Sequence, residues 1–302
     1  MSSNNELKTF AIHFMVGGVA GSFVKSFTAP LDRVKLILQT QDVAAQFGEG
    51  KRKPYTGIID CFKRIPKEQG LSSLWRGNTI NIARYFPTQA LNFSCNTLYK
   101  DRLSKRFGPS SVTHFVSGAL AGITTTTLLY PVEFCQTRIT ADVGSGDFID
   151  REFRGLYDCI SKITMVDGFH ALYKGYLVAV TGVGIYRSFY FGMYGYWKEI
   201  WGKRNTEVSL IRELLIAQGI TLASGIISYP FDTIGRSMMM EVGKPINQRK
   251  FVSVRNAVDS VYRRSGISGF YKGTTANYLR SISGSIMLVL YDQSIRYIND
   301  HY

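Results

Sequence analysis

Three equivalent positions in this chain suggest anion binding. Nine residues beyond the aromatic member of Trp75-Arg76-Gly77, Tyr173-Lys174-Gly175 and Tyr271-Lys272-Gly273 stand Arg84, Gly182 and Arg280. Two guanidinium groups at one depth can clamp phosphates through charge-assisted, often bidentate hydrogen bonds. A glycine at the third place leaves room for a flat ring. Lys25, like both arginines, interrupts a mostly apolar stretch, where a solvated surface charge is out of place. A Walker phosphate loop, a His-Glu-x-x-His pair and a nucleophile elbow are all missing, so binding rather than bond-breaking is indicated. Cys61, Cys95, Cys135 and Cys159 form no CxxC pair and the histidines are scattered, which disfavours a metal site.

The elements that must position these cations come in threes. The triplets recur at a step of 98 residues. The same step relates Ile58, Phe62 and Ile65 to Leu156, Ile160 and Ile163, and to Val254, Val258 and Val261. Each set has the i, i+4, i+7 spacing of an apolar stripe on a short helix. Upstream lie Pro30-Leu31-Asp32, Pro131-Val132-Glu133 and Pro230-Phe231-Asp232. The repeats cover roughly 8–107, 110–204 and 207–302 of a single 302-residue domain. Each holds two long segments of apolar, small and aromatic residues: 10–40 and 78–101, 112–140 and 176–198, 209–240 and 275–297. A membrane helix needs about 20 such residues. Lys25, Asp32, Arg33, Lys35, Arg84, Glu133, Arg138, Arg187, Asp232, Arg236 and Arg280 all fall inside these segments, and six helices around a wet cavity would accommodate them. Gly17-x-x-x-Gly21 and Gly118-x-x-x-Gly122 would let helices approach closely.

The formal net charge of +14 suits an anionic partner: phosphorylated small molecules, anionic lipid or nucleic acid. Nucleic acid is disfavoured because the basic residues are not gathered into one polar patch. The first residues, MSSNNELKTF, carry no cleavable signal pattern, so any address is internal.

Taken together, APLDRVKLILQ, YTGIIDCFKRIPKEQG, RYFPTQALNF, YRSFYFG, SYPFDT, SMMM and VLYD make the chain resemble the mitochondrial carrier family, and within it the ADP/ATP carriers. The resemblance implies an all-α membrane protein with six transmembrane helices in three pseudo-threefold repeats, each with a short amphipathic matrix helix. It also implies a multi-pass transporter of the mitochondrial inner membrane that exchanges ADP and ATP by alternating access. By that likeness Lys25, Arg84, Gly182 and Arg280 are substrate contacts, Tyr186 stacks on adenine beside Val183, Asn92 contributes a hydrogen bond and Arg236 stands for a run of three arginines. No cofactor is implied beyond bound cardiolipin. Its expected sites are the three triplets (Trp75, Arg76, Gly77; Tyr173, Lys174, Gly175; Tyr271, Lys272, Gly273) together with Gly57 and Gly155. Where the third repeat should have the matching glycine it has Ser253, so a weaker lipid site is expected there.

The family's gates are rings of salt bridges, and both rings are thinned here. On the matrix side Asp32 and Lys35 are present, but Glu133 is followed by Gln136 and Asp232 by Gly235, leaving Lys35 with Asp232. On the other side Lys100 faces no acid, and Lys198 with Asp292 is the one intact pair. Two functions therefore stay open: a working exchanger, or a carrier-fold protein that no longer cycles and serves as a subunit of a respiratory membrane complex.

Overall fold

The computed structural model of the chain describes residues 2–44, 46–47, 52–108, 111–144, 151–202, 210–245, 249–250 and 253–283. Eight helices are bounded within them: α1 (Ser2–Thr40), α2 (Ile58–Gln69), α3 (Asn78–Phe107), α4 (Ser111–Ala141), α5 (Leu156–Asp167), α6 (Tyr176–Gly202), α7 (Leu210–Met239) and α8 (Val254–Ser265). A last helical run begins at 274 and leaves the described residues after 283. Pro30, Pro131 and Pro230 lie inside α1, α4 and α7, which continue through them.

Each repeat is long helix, short helix, 3-10 turn, long helix, and glycine makes both corners. Gly70, Gly168 and Gly266 end the short helices with φ of 82°, 78° and 61°, and Gly77, Gly175 and Gly273 start the next long helix with φ of 83°, 85° and 82°. That left-handed region costs glycine nothing and strains other residues.

The short helices bury one stripe, as their spacing predicts, but it is centred one position away from the expected one. Cys61 and Ile65, Cys159 and Ile163, and Ala257 are the fully buried members, while Val254 and Val258 of α8 are exposed.

Two apolar clusters fill the end of the molecule where α1, α4 and α7 finish. One joins Val34, Ile37, Leu38 and Val43 to Ala141, Val143, Met238 and Met240; the other joins Tyr130, Phe134, Cys159 and Ile163 to Met239 and Val242. The three consecutive methionines are thus divided between two cores, where unbranched, adaptable side chains suit irregular gaps.

The five bounded long helices have 27 to 39 residues. At the α-helical rise they exceed the roughly 30 Å of a hydrocarbon core. Among the described residues, however, no helix is long and apolar enough to cross a membrane. The expected spans are broken by their inward charges and polar residues, and most of the sixth, 275–297, lies outside the described residues.

Candidate anion-binding cavity

The long helices are held in a ring by glycines that touch the next repeat. A β-carbon at Gly77 would meet the Thr140 hydroxyl of α4, one at Gly175 would come within 2.6 Å of the Gly235 carbonyl oxygen of α7, and one at Gly273 within 2.8 Å of the Lys35 carbonyl oxygen of α1. Ion pairs follow the same order. Arg76 binds Asp142, and Lys272 binds Asp42 and the Ser265 hydroxyl. These triplet bases therefore serve the seams between repeats.

Inside the ring lies a cavity of about 190 Å³ lined by Lys25, Asp32, Lys35, Arg84, Glu133, Arg236 and Arg280, with Asn78, Asn81, Gln136, Thr137 and Thr140 among its polar walls. Drug-sized ligands usually occupy at least about 300 Å³, so this volume suits a compact anionic group better than a whole drug-sized molecule. Lys25, Arg84 and Arg280, separated by up to 255 residues in sequence, meet there.

The acids of the cavity are all engaged. Lys35 Nζ donates to Asp232 Oδ2 at 3.0 Å, and Gln39 adds bonds of 3.1 Å to the same carboxylate and 2.9 Å to Thr233. Arg236 spans Asp232, at 2.8 Å, and Thr137, at 3.0 Å. The two acids whose gate bases are missing turn to the cavity arginines: Arg84 Nη1 lies 3.0 Å from Glu133 Oε2, and Arg280 Nε lies 3.3 Å from Asp32 Oδ1. Among the described cavity residues Lys25 is the cation with no ion pair, and it stands in electrostatic reach of Asp32, Glu133, Arg84 and Arg280.

The remaining expected contacts lie elsewhere. Gly182 is buried against α7, where an added β-carbon would sit 2.9 Å from that of Phe231, so the space expected there for a ring is filled. Tyr186 stacks on Tyr190 at 6.1 Å. Val183 lines a separate, apolar cavity of about 440 Å³ between α4 and α6, with Gly118, Gly122 and Arg187. Asn92 is half-buried on α3 and lines neither cavity. A helix face cannot be told from spacing alone, which is why the depth that Gly182 shares with the two arginines did not yield a slot for a ring.

Of the second gate, Lys100 is exposed, Asp292 lies outside the described residues, and the Lys198 side chain is not described. Two other charges expected to face the cavity are buried at the short-helix end instead. Arg33 reaches the Ser73 carbonyl, Gln69 Oε1 at 2.6 Å and the Asp142 carbonyl at 3.0 Å; Arg138 reaches the Met239 carbonyl at 3.1 Å and Glu152. Backbone carbonyls and side-chain oxygens take their Nη groups, while the Nε of each is buried without a partner; sequence carried no signal for that.

At the expected lipid sites, Gly57 and Gly155 precede α2 and α5 in extended backbone with no side-chain cap and open space around them. Hydrogen bonds from the Thr56 and Arg154 N–H groups hold the Asp60 and Asp158 carboxyls below the usual range. Ser253 instead caps α8, its hydroxyl accepting from the Asn256 N–H. Tyr173 and Trp75 donate to the carbonyls of Thr127 and Ser26, and Tyr271 stacks on Tyr229.

The mitochondrial carrier protein family profile matches residues 6–107, 108–205 and 206–302. The chain is 42% identical over 296 residues to ADP/ATP translocase 3 of Homo sapiens, covering 94% of this chain and 96% of that one. It is 43% identical over 297 residues to ADP/ATP translocase 2 of Tachyglossus aculeatus aculeatus (96% and 98%), and 40% identical over 296 residues to an ADP,ATP carrier protein of Parachlorella kessleri (96% and 86%). With all three repeats matched and similarity running the length of the chain, this transporter belongs to the mitochondrial carrier family.

Proposed function

We propose that the chain exchanges ADP and ATP across the mitochondrial inner membrane by alternating access. The observation that carries this is the convergence of Lys25, Arg84 and Arg280 on one polar cavity. Bases held in a confined site at fixed spacing suit the terminal phosphates of a nucleotide, which binds as a polyanion and leaves unchanged. Names borne by relatives at 40–43% identity favour the same cargo. Membrane residence rests on the family and on helices that turn their charges inward; cardiolipin phosphates suit the uncapped N-termini of α2 and α5, whose free N–H groups favour anions.

One observation favours a second reading, a non-cycling subunit of a respiratory complex. On the matrix side only Lys35 with Asp232 forms the expected gate pair, since Gln136 and Gly235 cannot supply a cation. Reconstitution into cardiolipin-containing liposomes separates the two. Exchange of external labelled ADP for internal ADP, reduced by tenfold or more in Arg84→Ala, supports the exchanger. Absence of exchange by protein that melts cooperatively, with co-purification of respiratory subunits from native membranes, supports the scaffold.

A further inference from the structure

Pseudo-threefold symmetry fixes where two missing gate bases would have stood. Lys35 of α1 meets Asp232 of α7. By the same relation position 136 of α4 would meet Asp32, and position 235 of α7 would meet Glu133. Gln136 Oε1 is buried without a hydrogen-bond partner; Gly235 has no side chain. Positions 136 and 235 therefore give Asp32 and Glu133 no counterpart of the Lys35–Asp232 pair. Both reach toward the cavity instead, to Arg280 at 3.3 Å and Arg84 at 3.0 Å.

We infer that Asp32 and Glu133 are built-in competitors for the cargo: each occupies the arginine that the incoming phosphate must take, and thereby sets the affinity for the nucleotide. The inference rests on the exchanger reading proposed above. The pairs are between one-fifth and one-third exposed, a setting in which ion pairs are weak enough to be exchanged. A phosphate offers more charge and more acceptor oxygens than one carboxylate, so it wins the guanidinium fork. Lys25, with no ion pair among the described residues, has none to break before it takes an anion.

Purified full-length protein in detergent, titrated with ADP at fixed ionic strength, tests this. Glu133→Gln should tighten ADP binding about two- to fivefold. The gain should vanish in the Arg84→Ala background and persist in Arg280→Ala. Gln136→Arg, which restores a base beside Asp32, should also tighten binding, and that gain should vanish in Arg280→Ala. Cooperative thermal unfolding of each variant verifies its fold. Unchanged or weaker ADP binding in both Glu133→Gln and Gln136→Arg overturns the inference. So does a gain of equal size in every background, which would mark a general charge effect. ADP affinity unaltered in the Arg84→Ala/Arg280→Ala double variant would defeat the exchanger reading as well as this one.

Discussion

A carboxylate placed two residues after a helix proline must find a cation, and the three such carboxylates here solve the problem differently. Asp232 holds two bases, Lys35 and Arg236, whereas Asp32 and Glu133 each hold one arginine from a different level of the cavity. The difference follows from single substitutions at positions 136 and 235. Burial governs another class of side chain. Cys61 is fully buried on α2, and burial, reinforced by nearby Asp60, pushes its thiol up to about 12. The thiolate is the nucleophile, so native Cys61 should stay unlabelled by maleimide near neutral pH and react only as the fold opens on heating. The unfolded thiol ionises near 8.5. The stabilising contribution of the neutral thiol is therefore complete below that value and is lost as pH rises toward about 12. Melting temperatures measured between pH 7 and 10 should fall less steeply for Cys61→Ala than for the wild type; parallel curves would remove this account of the thiol.

At the scale of elements, glycines that look alike in sequence do different work. Gly57 has φ of 172° and nothing within 4 Å of an added β-carbon, while Gly175 has φ of 85° and the Gly235 carbonyl oxygen 2.6 Å away. Gly175→Ala combines left-handed strain with overpacking and should cost about 2–4 kcal/mol. Gly57→Ala should cost well under 1 kcal/mol yet weaken retention of cardiolipin, because a side chain there crowds the open N-terminus of α2. Chemical denaturation measures the first effect and lipid analysis of the purified protein the second. If Gly57→Ala retains cardiolipin as the wild type does, the proposed phosphate site at α2 is wrong. Elements also set what sequence makes legible. The step of 98 residues gives depth, so spacing puts Arg84 and Arg280 on one level, and the helices bring Lys25 into the same cavity. Rotation about the helix axis is set by packing that no single spacing reveals. Gly182 thus turns to α7, Val183 to an apolar cavity, and Arg33 and Arg138 to buried carbonyls.

Across the whole molecule the three seams between repeats are sealed by different means, although the fold that makes them is threefold. The first to second seam is tied by Asp142, which binds Arg76 and Gln46, and the second to third by Asp167, which binds Arg249 and the Gly243 N–H. Among the described residues only the third to first seam carries a gate pair in the cavity floor, Lys35 with Asp232, braced by Gln39. Met238 and Met240 complete one apolar plug beneath it and Met239 the other. Sealing is therefore mostly apolar, and one carboxylate concentrates the remaining electrostatic contribution. Asp232→Asn strands two cations, Lys35 and Arg236, which breaks a partly buried network and should cost about 1–3 kcal/mol. Glu133→Gln strands only Arg84, which faces the wet cavity, and should cost less than about 1 kcal/mol. Thermal unfolding of the two variants side by side should show the larger drop for Asp232→Asn, and added ADP should rescue Glu133→Gln by at least as much as it stabilises the wild type. Equal losses in the two variants would mean that the plug alone closes the floor and that the surviving gate pair no longer contributes to it.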